Sequence, residues 1–429
     1  MFSKVTIVGY FRYNLVAYKN LLFMKTAFPA NIILFGDDHW FHLLPLTFMR
    51  PICELRVGIL TIKEKWEIYL DGKGSFITQD YLAEKYPIRI EKDNILINST
   101  FLPDRQLVNY IKQLKLNEAL LLDTELVAAR LSEEQFESMS EGNDAFKSLR
   151  GIDLAKESSI HFNRITRPYH IFTLNGQEII GDFELITAGR KSEPISDSNK
   201  IFGKYPIFME EGAVMEHCTI NTNNGPVYIG RDALIMEGCL IRGGFAACEG
   251  AVVKMGARIY GPTTAGPFCR LGGEINNSVL LANSNKGHDG YMGNSVIGEW
   301  CNIGADTNTS NLKNNYLPVK IWSYVKESFE DTGLQFCGLI MGDHSKAGIN
   351  TMFNTGTVVG VASNIFGDGF PRTYIPSFTW GGAAGFTTHK LNKAIETAEI
   401  MVTRRNKELT AEDKKILEHI YLNTEINRI

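Results

Sequence analysis

The chain has 429 residues, 44% of them hydrophobic, and a formal charge of -4 at pH 7. That length accommodates two globular domains with separate cores, and that charge supplies no basic field for duplex nucleic acid or an anionic membrane surface. Seven cysteines stand singly at 53, 218, 239, 248, 269, 301 and 337, with no CxxC pair, a pattern that suits a reducing cytoplasm.

Residues 1–23, "MFSKVTIVGYFRYNLVAYKNLLF", are partly apolar, but Lys4, Arg12, Asn14 and Lys19 interrupt them too often for a signal peptide or a membrane span. A second methionine, Met24, precedes the first plausible core strand, so residues 1–23 are expected to be an extension outside the fold. Residues 24–205 read as an α/β domain with a mostly parallel sheet. Its first buried strand is Ile32 to Phe35, ending in the polar turn of "LFGDDHW". A segment carrying Arg50, Arg56, Lys63 and Lys65 follows, and it is expected to face phosphates. Helical stretches are predicted at Asp104 to Leu114 and Ser132 to Met139, and later runs such as "RPYHIFTLNGQEIIGDFELIT" mix strand and helix signals. Neither a P-loop nor a GxGxxG appears.

From Ile229 the pattern changes. An aliphatic or small residue returns every sixth position, at Ile229, Ile235, Ile241, Ala247, Val253, Ile259, Ala265 and Leu271. Four places after each comes a second inward residue: Ala233, Cys239, Phe245, Ala251, Ala257, Thr263, Cys269 and Ile275. This period is neither helical nor alternating, and it is the signature of a hexapeptide-repeat parallel β-helix, in which three short strands close one triangular coil. The frame returns at Ile297 and Ile303, then at Met341, Ala347, Phe353, Val359 and Ile365. Two insertions are expected at corners, Asn276 to Val296 and Asn308 to Gly338, where such loops commonly carry function. The β-helix is assigned to 206–385. Residues 386–429 show helical spacing, and a closing helix is expected to cap the open end of the solenoid.

The stretch "SNKGHDGYMGNSVIGEWCNIGADTNTSNLKNNY", together with "LLPLTF-RP" near the front, resembles a family of bifunctional bacterial enzymes. These acetylate glucosamine 1-phosphate and then uridylylate it to UDP-N-acetylglucosamine, and the likeness is to their divergent branch, covering Asn31 to about Arg405. It implies a Rossmann-like nucleotidyltransferase domain ahead of a left-handed β-helix, assembly as a homotrimer, and the use of acetyl-CoA, UTP and Mg²⁺. It further implies that His288 is the general base, that Glu274 orients it, and that Tyr291 belongs to the same loop. By the same resemblance Asn302 and Asn311 lie near the sugar and acetyl group, and Arg258 binds phosphate. A phosphate-binding lysine of the family falls on Asn276 here, with Lys286 as the expected substitute.

The chemistry agrees with these residue types. Acetyl transfer from a thioester to an amine needs a base and donors for the developing oxyanion, and imidazole titrates near neutrality. Nucleotidyl transfer is an in-line displacement at phosphorus assisted by Mg²⁺ and by cations. Arg50, Arg56 and Lys63 are the phosphate-grip residues. Asp104 is read either as a metal carboxylate or as the cap of the helix that follows it. His344 invites comparison with zinc β-helix enzymes, but apart from the distant ends only His288 joins it in the repeats, too few for a three-histidine site. Two alternatives stand beside this reading: a nucleotidyltransferase for another sugar 1-phosphate with a regulatory or oligomerising β-helix, and a non-catalytic scaffold.

Overall fold

The structure, a computed structural model, describes residues 30–140, 149–156 and 162–428; the expectation for residues 1–23 lies outside them. Six strands, β1 (Asn31–Phe35), β2 (Gly74–Ile77), β3 (Asp93–Asn98), β4 (Glu118–Leu122), β5 (Glu125–Ser132) and β6 (Arg150–Asp153), form one sheet in the order β2-β1-β3-β5-β4-β6. The sheet is mostly parallel, as expected, with five strands running one way and β5 alone against them. β1 runs parallel to β2 and β3, and β4 to β6, whereas β5 runs against both β3 and β4. The link between β4 and β5 is too short for a crossover and can only close a hairpin, with Asp123 at φ 55° making the turn.

Among the described residues five helices accompany the sheet: α1 (His39–His42), α2 (Ile62–Leu70), α3 (Arg105–Gln113), α4 (Glu133–Ser140) and α5 (His170–Thr187). Thr61 and Glu64 start α2 with a reciprocal capping box. Asp104 starts α3, its Oδ1 accepting the Leu107 amide at 2.7 Å. The run expected to mix strand and helix is one long helix, α5, because its apolar positions share a face that covers the neighbouring domain.

The hexads build a parallel β-solenoid. Its three faces hold eight, nine and ten strands, starting at Lys200–Phe202, Ile207–Met209 and Val214–Met215. We call these faces one, two and three. Ile229 pairs with Ala247 on face two, Ile235 with Val253 on face three and Ile241 with Ile259 on face one. All eight predicted inward residues are at most 2% exposed, and all eight at the fourth place after them are fully buried. Small side chains there let three strands turn within a narrow prism.

The expected insertion at Asn276 to Val296 is not one. Strands continue through it at Val279–Leu280, Asn285–Lys286 and Tyr291–Gly293. What changes is the corner length. Ile259 pairs with Ile275, and Ile275 with Met292, so the coils here take 16 and 17 residues instead of 18, and a strict count of six reads the slip as a break. The second excursion is real. It leaves after Asn311, is closed at its neck by a bridge from Leu312 to Phe336, and carries an antiparallel hairpin of Lys320–Ser323 and Ser328–Asp331.

The front domain packs sideways onto face two. The outward residues of that face, Ala246, Thr264, Val279, Val296, Ile340 and Val358, are all buried. Asn175 on α5 clasps the junction: its Oδ1 accepts the Gly58 amide at 2.8 Å and the Thr264 hydroxyl at 3.1 Å, and its Nδ2 donates to the Pro262 carbonyl at 3.0 Å. Gly58 sits at φ +81°, where a Cβ would collide with Asp182. The expectation of two separate cores therefore fails in part. The solenoid interior is its own core, but the front-domain core runs on into Val279, Val296, Ile340 and Val358 on the solenoid's outside.

The C-terminal segment forms two helices, α6 (Leu391–Thr403) and α7 (Ala411–Asn423). They do not cap the open end. Ala394, Ala398, Val402, Ile416, Leu417 and Ile420 pack with Val361, Ala362 and Phe378 along the solenoid's flank. Lys85–Asp413 at 2.6 Å, Lys415–Glu84 at 2.7 Å and a Tyr81–His419 ring stack at 3.9 Å tie α7 to the front domain. Among the described residues no helix is long and apolar enough to cross a membrane.

Candidate active sites

Face one stacks side chains in ladders. Arg258, Glu274 and Tyr291 occupy one outward column, and Tyr260, Asn276 and Gly293 the next. The Tyr260 hydroxyl donates to Glu274 Oε1 at 2.6 Å, and Arg258 lies 3.8 Å from Glu274 Oε2 and 3.9 Å from Asp289. Burial and the Glu274 carboxylate both push the Tyr260 phenol up, so it remains a donor at neutral pH. The Tyr291 hydroxyl accepts from Asn311 Nδ2 at 2.9 Å, and Asn311 also reaches Asn294 at 2.8 Å. Gly293 permits this, since a Cβ there would run into both the Tyr291 hydroxyl and the Asn311 amide.

His288 is exposed on the corner between the face-three strand Asn285–Lys286 and the face-one strand Tyr291–Gly293. Asn302 lies round that corner on face three, accepting from Asn285 Nδ2 at 3.2 Å. The structure thus gathers Arg258, Glu274, Tyr291 and Asn311 on one side of the corner and places Asn302 on the other. Glu274 is partnered by Tyr260 and Arg258, not by His288. Lys286 points inward. Its Nζ is buried and donates to the carbonyls of His288 at 2.6 Å and Asp289 at 2.7 Å, and burial pulls its pKa down to about 8. Instead of presenting an ammonium to a phosphate, Lys286 pins the corner that displays His288.

The cations expected to face phosphates are mostly spent on carboxylates. Arg50 is 5% exposed and pairs with Asp343 at 2.9 Å and Glu299 at 3.5 Å across the domain junction. Arg56 is buried and donates to the Ile59 carbonyl, with Glu64 at 3.5 Å. Lys65 is sealed between Asp182 and Glu178 of α5. Lys63 is half-buried and paired with Glu54 at 3.2 Å. Asp104 is the helix cap already described, and no other carboxylate cluster forms on it among the described residues.

A cluster that sequence reasoning passed over sits at the carboxyl ends of β1 and β3, where open α/β sheets bind ligands. Asp37 accepts the His39 amide at 2.9 Å, lies 2.8 Å from His39 Nδ1, and accepts from Asn98 Nδ2 at 2.8 Å. Burial raises its pKa, but hydrogen bonds from His39 and Asn98 outweigh that and bring it down to about 2. Asp37, His39 and Glu125 place ligand atoms within 4.8 Å of one another. Arg164 forks onto Glu125 at 2.5 and 3.1 Å while stacking 4.3 Å over Phe101. Nearby His170 is depressed to about 4 by burial and by Arg167. The signal was present in "LFGDDHW": acids directly after the first strand of such a sheet.

Fold and sites together define a two-domain chain, an α/β sheet with a polar cluster at its strand ends joined to a hexapeptide β-solenoid with a polar corner. Residues 32–191 match the family model described as sugar nucleotidyl transferase. The chain is similar to the "Bifunctional protein GlmU" of Methanocaldococcus jannaschii, 38% identical over 87 residues, 20% of this chain and 21% of that protein. It is also similar to the "Bifunctional sugar-1-phosphate nucleotidylyltransferase/acetyltransferase" of Sulfurisphaera tokodaii, 33% identical over 93 residues, 22% of this chain and 23% of that one. The chain thus spans about a fifth of the length of the curated relatives it matches. Among solved structures, the polySia-specific acetyltransferase NeuO aligns at 17% identity and TM-score 0.29, over 45% of this chain and 87% of that one.

Proposed function

We propose that the chain makes UDP-N-acetylglucosamine in two steps, acetyl transfer from acetyl-CoA to glucosamine 1-phosphate on the solenoid and uridylyl transfer from UTP to the product in the front domain. The observation that carries the first step is the exposed His288 on a corner whose adjoining face stacks Arg258, Glu274, Tyr260 and Tyr291. The substrate ammonium must lose a proton before its nitrogen attacks the thioester carbonyl, and His288 Nδ1 or Nε2 receives it. A C–N bond forms, the C–S bond breaks and CoA leaves as the thiol. Arg258 grips the sugar phosphate, Glu274 and Tyr260 receive hydroxyls, and Asn311 holds Tyr291 against them. Asn302, round the corner, donates to the acetyl carbonyl.

For the second step the support is the family match over 32–191 and the cluster at the ends of β1 and β3. Asp37 and Glu125 would supply oxygen ligands of the kind Mg²⁺ takes. When bound, the ion neutralises triphosphate charge and aligns the α-phosphorus for in-line attack. Arg164, forked onto Glu125, is the cation at the cluster, and a triphosphate would compete with that carboxylate for it. The division proposed is a front domain ahead of the first solenoid strand at Lys200–Phe202, a solenoid through Gly385–Thr388 and the C-terminal helices after it, and buried single thiols agree with a cytoplasmic setting.

The assembly proposed is a homotrimer. The front domain covers face two and Arg405 of the C-terminal segment reaches Asn285 on face three at 2.9 Å, which leaves face one and its corner with face three. On that corner Met255 is 71% and Ile349 70% exposed, roughly 10 Å to either side of His288 at the usual strand spacing. Packing of a neighbouring prism would bury them and enclose the histidine.

The test is to incubate the protein with acetyl-CoA, UTP, Mg²⁺ and glucosamine 1-phosphate, omit one reagent at a time, and identify products by mass. His288→Ala should lower acetyl transfer by about 10²- to 10⁴-fold while uridylyl transfer persists. Wild-type acetylation by that variant would remove the base assignment.

A further inference from the structure

The solenoid's one long excursion among the described residues does not lie over the acetyl column. Its hairpin reaches back to the front domain. Arg167, just ahead of α5, is 3.8 Å from Glu330 on the hairpin, and Phe48 meets Tyr324 edge-on at 5.5 Å. The hairpin is held in place: Trp322 stacks on Tyr374 of the solenoid at 4.2 Å, and the Thr332 hydroxyl donates to the Val319 carbonyl at 2.8 Å. Between this wall and α1 lies an open cavity of ≈ 390 Å³, lined by Asp38, Phe41, His42 and Leu44 from the front domain and by Tyr324 and Val325 from the hairpin.

We propose that this cavity is the nucleobase pocket of the front-domain site, so that the solenoid supplies one wall of the other domain's nucleotide-binding site. The inference rests on the nucleotidyl-transfer reading and extends it. Three features select a flat aromatic ring with phosphates attached. The volume falls in the range of small-ligand sites. The walls are apolar and aromatic, with Phe41 45% and Val325 49% exposed and uncovered in this chain, whereas a sugar would need convergent polar groups for its hydroxyls. The lining continues by one residue, from Asp38 to Asp37, into the cluster of Asp37, His39 and Glu125 where the triphosphate would lie. Two polar groups of the lining, Asp38 and His42, offer hydrogen-bonding partners to ring edges. A base stacked on Phe41 and Tyr324 thereby makes the front site depend on the solenoid, which accounts for an excursion that the repeats do not need.

The experiment uses the full chain with Val325→Asp and Phe41→Ala, both at exposed positions. Uridylyl transfer is followed with varied UTP, uridine and inorganic pyrophosphate serve as competitors, and CoA release in acetyl transfer reports the integrity of the solenoid. Both variants should raise the KM for UTP by about tenfold or more, the scale of a lost base stack, and weaken uridine competition by a similar factor. Pyrophosphate competition and acetyl transfer should stay at wild-type values. If the KM for UTP stays within about twofold in both variants while wild type is active, the pocket assignment falls and the nucleotidyl reading stands. A rise in the KM for the sugar phosphate alone would give the cavity to the sugar and overturn the proposal. Wild-type protein that neither binds nor uses any common nucleoside triphosphate would remove the nucleotidyl reading itself and the pocket with it.

Discussion

Arg50→Ala should weaken the junction between the domains, not a phosphate grip. The guanidinium is 2.9 Å from Asp343, and the two side chains are 6% and 1% exposed. At an effective dielectric constant of 20, that separation corresponds to about 6 kcal/mol of attraction before desolvation is charged against it. Removing one partner of such a pair leaves a buried charge uncompensated and typically costs about 3–5 kcal/mol. Replacing both, as Arg50→Met with Asp343→Leu, should recover most of that loss. The pH dependence gives an independent check. Burial raises the Asp343 pKa while Arg50 opposes the rise, so the alanine variant should raise it further. A carboxyl whose folded pKa lies above its unfolded value contributes its stability below the unfolded pKa and loses it as pH climbs through the folded one. The deficit of Arg50→Ala should therefore be small near pH 4 and full at pH 8. Urea unfolding of wild type, both single variants and the double variant across that range measures this. A single variant within about 1 kcal/mol of wild type at pH 8 would refute the ascribed role.

Glu274→Gln should raise the KM for glucosamine 1-phosphate by roughly tenfold, through the freed Tyr260 and Arg258, and leave the acid limb of the rate profile in place; a displaced limb would show that the carboxylate acts on His288. Lys286, with a folded pKa near 8 against an ordinary 10.5, binds fewer protons folded than unfolded between those values. Wild-type stability should accordingly gain up to about 3 kcal/mol from this group as pH rises from 8 to 10.5. Lys286→Met should lack that gain in denaturant titrations and lower the acetyl-transfer kcat by loosening the corner. In solution the protein should sediment at three times its chain mass, and Met255→Glu with Ile349→Glu should dissociate it and silence acetyl transfer; an active monomer would contradict shared sites.

The sequence by itself determined the solenoid, because a hexad is a local rule: each inward residue needs only its own coil and the next, so Ile229 through Leu271 could be read by counting. It also singled out His288, Glu274, Tyr291 and Arg258, which the ladders then brought to one corner. Counting failed where the corners shortened around Ile275 and Met292, since a residue lost at a turn leaves no mark on the residues beside it. The roles of charged groups were decided only by the tertiary structure. Arg50 meets a carboxylate 293 positions away and Lys65 one 117 positions away, and nothing near either residue distinguishes a phosphate ligand from half of a buried pair. Asp37 is an intermediate case: His39 stands two residues away, but Asn98 and Glu125 reach it only when β1, β3 and β5 lie side by side. The wall that the hairpin lends to the front domain depends likewise on how the sheet docks on face two, because a charge or an open surface acquires its function from what faces it in space.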